Sequence, residues 1–432
     1  MWEYVPILVL VLSFIVLLSI GTPVAWSIAV SATLTMLVSI PAMPAFTTVS
    51  QRMATGLDSF ALLAIPFFVL SGELMNKGGI AHRLIAFAKT LVGALPGGLA
   101  LINIIAAMLM GAIAGSAMAS ASAMGSILGP EMEKEDYSKE FGAAVNITSA
   151  TTGLVIPPSN ILIVYSLASG GVSVAALFLA GYVPGILTGL FLMAVAMIWA
   201  KKRKYKIGQA SSLKQMFRTF VAAFPSLMLL VVVIGGIVSG IFTATEASAI
   251  AVLYTLILGF YYKEVNVKDL PKILLDSSAT TAIVMLLIGA SMSMSWVMSY
   301  ENIPQDISSA LLGISNNKFV ILLIINLLLL FVGIFMDMTP AVLIFTPIFL
   351  PVVTKLGLDP THFGIIMILN LCIGLCTPPV GSVLFVGVGV AKTTIEKVVR
   401  PLLPLFMAMI VALFLVTYIP ELSLWLPKFF GY

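Results

Sequence analysis

The chain has 432 residues, of which 60% are hydrophobic and only 9% are charged. Soluble globular domains carry charge on about a quarter of their residues, so this composition excludes a soluble enzyme or binding protein. The formal net charge of +4 is small and does not predict a nucleic-acid partner. Cys372 and Cys376 share one apolar segment. We expect them to pack in the interior rather than to form a disulfide or a metal site.

Apolar runs of about 20 residues recur from Val5 to the end of the chain, and this is the length that a helix needs to cross a membrane. In hydrocarbon only helices and closed barrels satisfy every backbone polar group, and these runs lack the alternation of barrel strands. The first run has no basic flank and no cleavage site, so we interpret it as a retained helix. The sequence therefore predicts an all-α, polytopic membrane protein.

The polar breaks between the apolar runs share lysine and arginine very unevenly. One set of breaks holds 18 of the 22 basic residues, and the other set holds only Arg52, Lys318, Lys355 and Lys428. Cytoplasmic loops of membrane proteins are enriched in lysine and arginine. The first set is therefore predicted to lie in the cytoplasm, which leaves both termini outside.

Two long apolar segments begin and end on the same predicted side of the membrane. As a single helix, residues 98–130 would span roughly 50 Å, whereas the hydrocarbon core is about 30 Å thick. Both flanks of this segment belong to the cytoplasmic set, and both flanks of residues 319–353 belong to the outer set. Each segment is predicted to be a re-entrant helical hairpin, one opening inward and the other outward.

The segments that follow the two hairpins resemble each other. Residues 141–165 read FGAAVNITSATTGLVIPPSNILIVY, and residues 363–387 read FGIIMILNLCIGLCTPPVGSVLFVG. The second proline of each pair removes a backbone donor and clashes with the preceding turn, which predicts a break within the helix. Two opposed hairpins and two broken helices, at about 138–170 and 361–390, predict an inverted-topology repeat, an arrangement typical of secondary transporters.

The repeat divides the chain into two halves, residues 1–200 and 220–432. Each half is expected to contribute scaffold helices, one hairpin and one broken helix. Residues 201–219 between them are strongly basic, and we expect a cytoplasmic linker that forms an interfacial amphipathic helix.

The carbonyl groups freed at each break need partners inside the membrane, and a cation or nearby hydroxyl and amide groups can provide them. Such groups are adjacent in the sequence: Ser159 and Asn160 at the first break, and Thr377, Gly381 and Ser382 at the second. An ordinary proline kink is the alternative, and two pairs at equivalent repeat positions make it the less favoured one.

Small residues and isolated polar groups occupy the two hairpin turns. Residues 111–126 read GAIAGSAMASASAMGS; close helix packing explains most of this run, although the helix ends at a tip can also bind ions. Residues 333–340 read GIFMDMTP, and a carboxylate such as Asp337 at the bilayer centre costs about 2.5–3.5 kcal/mol. A bound Na⁺, a proton, or capping of the second arm together with Thr339 would offset that cost.

The remaining charged residues predict no catalytic or metal centre. Asp58, Glu73 and Glu246, which follows Thr243 and Thr245 at the start of a helix, are expected to have interfacial or capping roles. The two histidines stand alone in predicted loops. The sequence has no phosphate-binding loop, G-x-S-x-G or H-E-x-x-H. Direct ATP coupling and hydrolysis are therefore unsupported, and the chain is not predicted to be an enzyme.

Four segments carry a family resemblance: PFFVLSGELMNKGGIAHRL at 66–84, the small-residue hairpin ending in Gly129 and Pro130, IPPSN at 156–160, and CTPPVG at 376–381. In this order they resemble the large membrane subunit of tripartite ATP-independent periplasmic (TRAP) transporters, over nearly the whole chain. The resemblance implies Na⁺-coupled import of an organic acid across the bacterial inner membrane, with solute delivered by a soluble periplasmic binding protein. It also implies a small four-helix membrane subunit, expected as a separate chain, and an elevator movement against a scaffold.

Carried onto this sequence, the resemblance implies two Na⁺ sites with many backbone-carbonyl ligands. The first would lie between the first hairpin tip and the first break, at Ser116, Ser120, Ser122, Pro157, Ser159 and Asn160. The second would lie between the second tip and the second break, at Gly333, Asp337, Thr339, Cys376, Thr377, Pro378 and Gly381. The solute would contact Ser120, Ser159, Asn160, Thr339 and Ser382.

Several alternatives stay open. Sialic acid is the favoured solute on general similarity, with a C4-dicarboxylate as the alternative. A divalent-anion/Na⁺ symporter of related architecture, working without a binding protein, is the runner-up within transport. A channel should line its pore with polar or charged rings, and an intramembrane enzyme needs a nucleophile, a metal or an acid–base pair; the sequence favours neither.

Overall fold

The computed structural model describes residues 5–208, 211–315 and 317–432, and within these ranges every regular element is helical. The first half contains α1 (Val5–Ser19), α2 (Val24–Ser39), α3 (Ala42–Leu57), α4 (Ala64–Lys77), α5 (Ile80–Val92), α6 (Gly98–Ala114), α7 (Ala117–Lys134), α8 (Lys139–Thr152), α9 (Asn160–Ala168) and α10 (Val174–Arg203). The second half contains α11 (Leu213–Val238), α12 (Ala244–Tyr261), α13 (Leu270–Tyr300), α14 (Ile303–Ile314), α15 (Lys318–Phe335), α16 (Met338–Lys355), α17 (Pro360–Gly374), α18 (Ser382–Val390), α19 (Ile395–Tyr418) and α20 (Glu421–Phe429). The predicted all-α fold is confirmed.

In the described part of the chain, eight helical segments are long and apolar enough to cross a membrane. Their outward faces are apolar: Leu190 on α10 is 54% exposed and Val231 on α11 is 60% exposed. An apolar outer surface is stable when the surrounding solvent is lipid, because hydrocarbon does not penalise exposed leucine or valine. The structure therefore fits a membrane-embedded bundle.

The helices form two packed groups, which we call the scaffold and the hairpin domain. In the scaffold, α4 packs against α12 and α13, α2 packs against α1 and α13, and α5 packs against α11. In the hairpin domain, α8 packs against α6, α7 and α19, while α17 packs against α15, α16 and α10. The groups meet where α5 contacts α6 and where α13 and α14 contact α16.

Both predicted hairpins are present, as α6–α7 and α15–α16. The arms of the first hairpin join at Gly115, which has a φ of +61°. A side chain is strained in this left-handed conformation, so glycine ends α6 and lets the chain reverse. The arms of the second hairpin join at Met336 and Asp337, between the end of α15 and the start of α16.

Each hairpin touches its own broken helix through a pair of glycines. A Cβ atom on Gly111 would lie 2.7 Å from the Cα of Gly153, and one on Gly374 would lie 2.6 Å from the Cα of Gly333. These separations are backbone contacts that no larger residue permits. The same contact occurs in both halves, as expected for an internal repeat.

The linker differs from the predicted amphipathic helix. Its basic start, Lys201–Arg203, is the last turn of α10, and Leu213 begins α11, which continues as an apolar helix to Val238. Lysine and arginine have long apolar stems that can lie along apolar surface while the charged group reaches water. The basic residues can therefore continue α10 beyond its apolar segment. Ser212 starts α11 by accepting a hydrogen bond from the Gln215 N–H at 3.2 Å. Residues 209 and 210 lie outside the described ranges.

The predicted cap at Glu246 is confirmed. Its carboxylate accepts a hydrogen bond from the Thr243 N–H at 2.8 Å, and the Thr243 hydroxyl accepts one from the Glu246 N–H at 3.2 Å. This reciprocal pair is a capping box, which fixes the start of α12.

Candidate functional site

A cavity of about 410 Å³ lies where the two hairpin tips meet the scaffold. The hairpin domain contributes both tips and the residues next to both helix breaks, and the scaffold contributes α4 and α13. Pockets for small ligands commonly have volumes of about 300–1,000 Å³. The cavity therefore lies between helices of the two groups.

Four half-helices begin at this cavity. The lining includes residues at the N-terminal ends of α7, α9, α16 and α18, namely Ala117, Asn160, Met338 and Ser382. Unpaired N–H groups and the helix dipole give each N-terminus a partial positive charge. The four ends therefore offer an anionic solute favourable electrostatics without a basic side chain.

At the first tip, Ser116 and Asn160 line the cavity, whereas Ser120 and Ser122 do not. The Ser116 hydroxyl caps α7 by accepting from the Ala119 N–H at 3.2 Å. Ser120 is buried and donates to the Ala107 carbonyl at 3.2 Å, which ties the two arms together. Ser122 is exposed on the outer face of α7.

The first break lies next to this tip. A Cβ atom on Gly115 would be 2.8 Å from the Asn160 amide nitrogen, so tip and break are in contact. Ser159 is buried and donates to the Leu154 carbonyl at 2.5 Å. Pro157 is buried as well. Among the described residues, no hydrogen bond ends on the carbonyls between 155 and 158. These four residues are buried and are not part of the described cavity lining.

At the second tip, Asp337 and Thr339 both line the cavity. Asp337 occupies the N-cap position of α16, but its carboxylate makes no capping hydrogen bond. Its side chain is exposed to the cavity. Gly333 lies one turn earlier in the contact with Gly374. The Asp337 carboxylate thus lines the cavity without capping α16, and it lies beside the Met338 N–H and the Ser382 hydroxyl.

The second break is held mainly by local bonds. The Thr377 hydroxyl donates to the Ile373 carbonyl at 2.8 Å, and a Cβ atom on Gly381 would lie 2.5 Å from the Leu375 oxygen. Pro378 is half-buried at the turn. Ser382 lines the cavity, and its hydroxyl finds no hydrogen-bond partner within the part of the chain that the structure describes. Of the predicted site residues at this break, Ser382 is the one that lines the cavity.

The two broken helices contact each other through the cysteines. The Cys372 thiol donates to the Thr151 carbonyl at 3.2 Å, and the Cys376 sulfur lies 3.4 Å from the Thr151 hydroxyl. Both cysteines are fully buried. The Cys376 side chain therefore joins α8 to α17 and does not line the cavity.

Sequence reasoning missed the scaffold side of the site. Glu73 and Asn76 on α4 and Thr280 on α13 line the cavity, although Glu73 was expected to have an interfacial or capping role. The available signal was polar spacing, because residues 73 and 76 are three apart and share one face of an otherwise apolar helix. Their role depends on how scaffold and hairpin domain meet, which a local pattern does not contain.

The charged side chains in the described lining of the cavity are all acidic. Among the described lining residues, Glu73 and Asp337 are acidic, and none is lysine or arginine. Two carboxylates in a low-dielectric site repel each other and any anionic solute. Cations bound beside the carboxylates would offset this repulsion. Hydroxyl, amide and carbonyl oxygens are suitable ligands for Na⁺ or another hard cation.

Comparison with known sequences identifies the family. The family model described as "Tripartite ATP-independent periplasmic transporter, DctM component" matches residues 11–422. The chain is 56% identical over 431 residues to YgiK of Salmonella typhimurium, covering 100% of this chain and 99% of YgiK. It is 41% identical to the isethionate TRAP transporter permease protein DctMQ of Oleidesulfovibrio alaskensis, covering 99% of this chain and 66% of that protein. It is 40% identical to the sialic acid TRAP transporter large permease protein SiaM of Vibrio cholerae, covering 89% of this chain and 90% of that protein.

Comparison with solved structures supports the fold. The YdaH transporter of Alcanivorax borkumensis superposes with a TM-score of 0.66 and 12% sequence identity, covering 86% of this chain and 87% of that chain. At this identity the likeness shows the architecture alone.

The matched family gives the site its context. TRAP large permeases lie in the inner membrane, take up organic acids, and work with a small membrane subunit and a periplasmic binding protein. Their function is transport rather than catalysis, which agrees with the apolar bundle and its central cavity. The chain belongs to the DctM component family of tripartite ATP-independent periplasmic transporters, as an inner-membrane large permease.

Proposed function

We propose that this permease imports an organic acid by symport with Na⁺, in an elevator movement of the hairpin domain against the scaffold. The observation that carries the proposal is the central cavity, which joins four helix N-termini to two carboxylates without a lysine or arginine in its described lining. The N-termini favour the solute's negative charge. Cations bound beside the carboxylates offset the repulsion between the carboxylates and the solute.

Two Na⁺ ions are proposed, one at each pair of hairpin tip and helix break. The first pair brings Gly115 against Asn160, next to the buried carbonyls of residues 155–158, which accept no hydrogen bond from any described residue. The second pair brings the Asp337 carboxylate into the cavity beside Thr339. Carbonyl oxygens at helix C-terminal ends and a carboxylate are the ligand types that transporters use for Na⁺.

The solute is proposed to be a small carboxylate or sulfonate delivered by a binding protein. Relatives carry names for isethionate, C4-dicarboxylate and sialic acid permeases, so the shared chemistry is an anionic group on a small polar molecule. Sialic acid is the first solute to test. Asn160, Thr339 and Ser382 are the proposed polar contacts in the cavity, because all three line it.

The decisive experiment is uptake by the permease and its small subunit in lipid vesicles, with binding protein outside. The binding protein's solute is first found by a thermal-shift screen of organic acids. We expect uptake when an inward Na⁺ gradient and loaded binding protein are both present, and none when K⁺ replaces Na⁺. Uptake without a Na⁺ gradient would refute symport, and uptake of free solute without binding protein would support the alternative symporter.

A further inference from the structure

A second cavity lies inside the hairpin domain. It has a volume of about 440 Å³ and is bounded by α6, α7, α8 and the end of α18. It shares no described lining residue with the central cavity. At its mouth are Lys392 and an ion pair between Lys139 and Glu133 at 3.3 Å. Both lysines belong to the basic set predicted to face the cytoplasm, so the cavity opens toward that side.

Two residues that line this cavity carry buried amide oxygens without a partner. Asn103 is 1% exposed and Asn146 is 2% exposed, and neither side-chain oxygen accepts a hydrogen bond from any described residue. The Asn146 amide nitrogen donates to the Ala121 carbonyl at 2.6 Å. This bond fixes the orientation of the Asn146 amide, so its oxygen is the group that remains unpaired. Buried acceptors without donors are unfavourable unless water or a cation pairs with them.

The second half of the chain provides an internal comparison. Asn326 on α15 occupies the position related to Asn103 by the INII and INLL segments, and Asn370 lies on α17 opposite it. There the Asn370 amide donates to the Asn326 side-chain oxygen at 2.8 Å, and the Asn326 amide donates to the Thr417 hydroxyl at 3.1 Å. In the second half the Asn326 side chain is bonded to protein on both its oxygen and its nitrogen, although the Asn370 oxygen also lacks a described partner. The difference between the halves is that the first-half asparagines line a cavity.

One face of α8 runs from the cavity toward the first break. Asn146, Ser149 and Gly153 are spaced at i, i+3 and i+7 on α8, so they lie along one face. Gly153 contacts the first hairpin at Gly111. Seven residues of helix span about 10 Å. The buried Ser149 hydroxyl donates to the Val145 carbonyl at 2.7 Å, and its oxygen retains lone pairs that can accept.

We infer that this cavity is a hydrated vestibule that binds Na⁺ in transit between the first hairpin and the cytoplasm, through the side-chain oxygens of Asn103 and Asn146. The occupant is a cation with its water because the unpaired groups inside the cavity are acceptors, and at the mouth the Glu133 carboxylate offsets the charge of Lys139. Lys392 is the remaining basic side chain of the described lining, at the mouth rather than beside the asparagines. Na⁺ and solute thus have separate routes to the cytoplasm. The inference rests on the proposed Na⁺ coupling.

The first test replaces Asn103 by leucine. Because the Asn103 side chain makes no hydrogen bond to any described residue, a purely structural role predicts normal Na⁺ exchange in Asn103→Leu. The vestibule predicts that Na⁺ binding and release, followed by stopped flow with a Na⁺ indicator on the purified complex with its small subunit, both slow about tenfold. The dissociation constant should stay within about twofold, because the barrier changes and the first-hairpin site does not.

A second test closes the vestibule chemically. A Cβ atom on Gly129 meets no atom within 4 Å, so Gly129→Cys should be accommodated at the cavity wall. The two native cysteines are fully buried, which leaves residue 129 as the reactive thiol. A bulky maleimide should slow Na⁺ exchange about tenfold relative to the same protein before labelling. Gly313→Cys on α14, where a Cβ also meets no atom within 4 Å, is the control and should show no change.

The outcomes separate the two proposals. If the unaltered complex binds no Na⁺ in preference to K⁺, both the coupling and the vestibule are overturned. If it binds Na⁺ but neither Asn103→Leu nor labelled Gly129→Cys alters the exchange rates, the vestibule is overturned and the coupling stands. Slower exchange in the labelled Gly129→Cys protein supports the vestibule even if Asn103→Leu fails to fold.

Discussion

Two aspartates at the same helical position have different surroundings. Asp337 and Asp359 both stand at the N-cap of a helix. The Asp359 carboxylate accepts hydrogen bonds from the N–H groups of Thr361 at 2.7 Å and His362 at 3.3 Å. The Asp337 carboxylate makes no such bond and points to the cavity. The sequence allows Asp337 to bind a cation, to bind a proton or to cap α16. In the structure its carboxylate makes no capping hydrogen bond.

This contrast gives a matched pair of variants. Asp337→Ala should weaken Na⁺ activation of uptake about tenfold, or about 1.4 kcal/mol, while the melting temperature stays unchanged, because no capping bond is lost. Asp359→Ala should cost about 1 kcal/mol of folding stability through its lost cap, with Na⁺ activation unchanged. Na⁺ titrations of uptake and thermal melts of both variants distinguish the roles. A large melting-temperature loss in Asp337→Ala would return this residue to a structural role.

The hairpins and broken helices were predictable because their causes are local. Paired prolines break a helix wherever they occur, and the charges that flank residues 98–130 restrict both ends to one side. The observed arms, Gly98–Ala114 and Ala117–Lys134, follow that expectation closely. The linker was mispredicted because basic composition alone does not reveal that α10 and α11 extend into it. Glu73 was missed because its surroundings come from distant elements.

The contact between hairpin and broken helix predicts a strict requirement for glycine. In Gly111→Ala the new methyl group would lie 2.7 Å from the Gly153 backbone, and backbone cannot move aside as a side chain can. We expect a loss of about 1–3 kcal/mol in stability and of most uptake. Gly374→Ala should behave alike, because its methyl group would meet the backbone of Gly333. Thermal melts and uptake assays measure both effects.

The control for this prediction is Gly235 on α11. A Cβ atom there meets nothing within 4 Å, so Gly235→Ala should stabilise the helix by about 0.5–1 kcal/mol and preserve uptake. Equal behaviour of Gly111→Ala and Gly235→Ala would show that the close contact is dispensable.

The distribution of basic residues predicts the orientation of the whole molecule, and this prediction can be tested directly. Lys204 lies in the basic set at the end of α10, and Gly313 lies on α14 beside the outer set. In intact cells an impermeant maleimide should label Gly313→Cys and not Lys204→Cys, since the native thiols are buried. In inside-out vesicles the pattern should reverse. The opposite result in both preparations would invert the topology and with it the direction of the vestibule.

An elevator requires the scaffold and the hairpin domain to slide past each other. Ile283 on α13 and Thr339 on α16 belong to different groups and line the same cavity. A reducible bifunctional thiol reagent joining Ile283→Cys to Thr339→Cys should therefore lower uptake at least tenfold, and reduction should restore it. The control pair is Phe60→Cys with Thr245→Cys, two scaffold positions already joined by a 2.9 Å hydrogen bond, where the same cross-link should leave uptake intact. Uptake that survives the first cross-link would mean that the solute crosses without relative movement of the two groups, and the elevator would have to be abandoned for a fixed pathway.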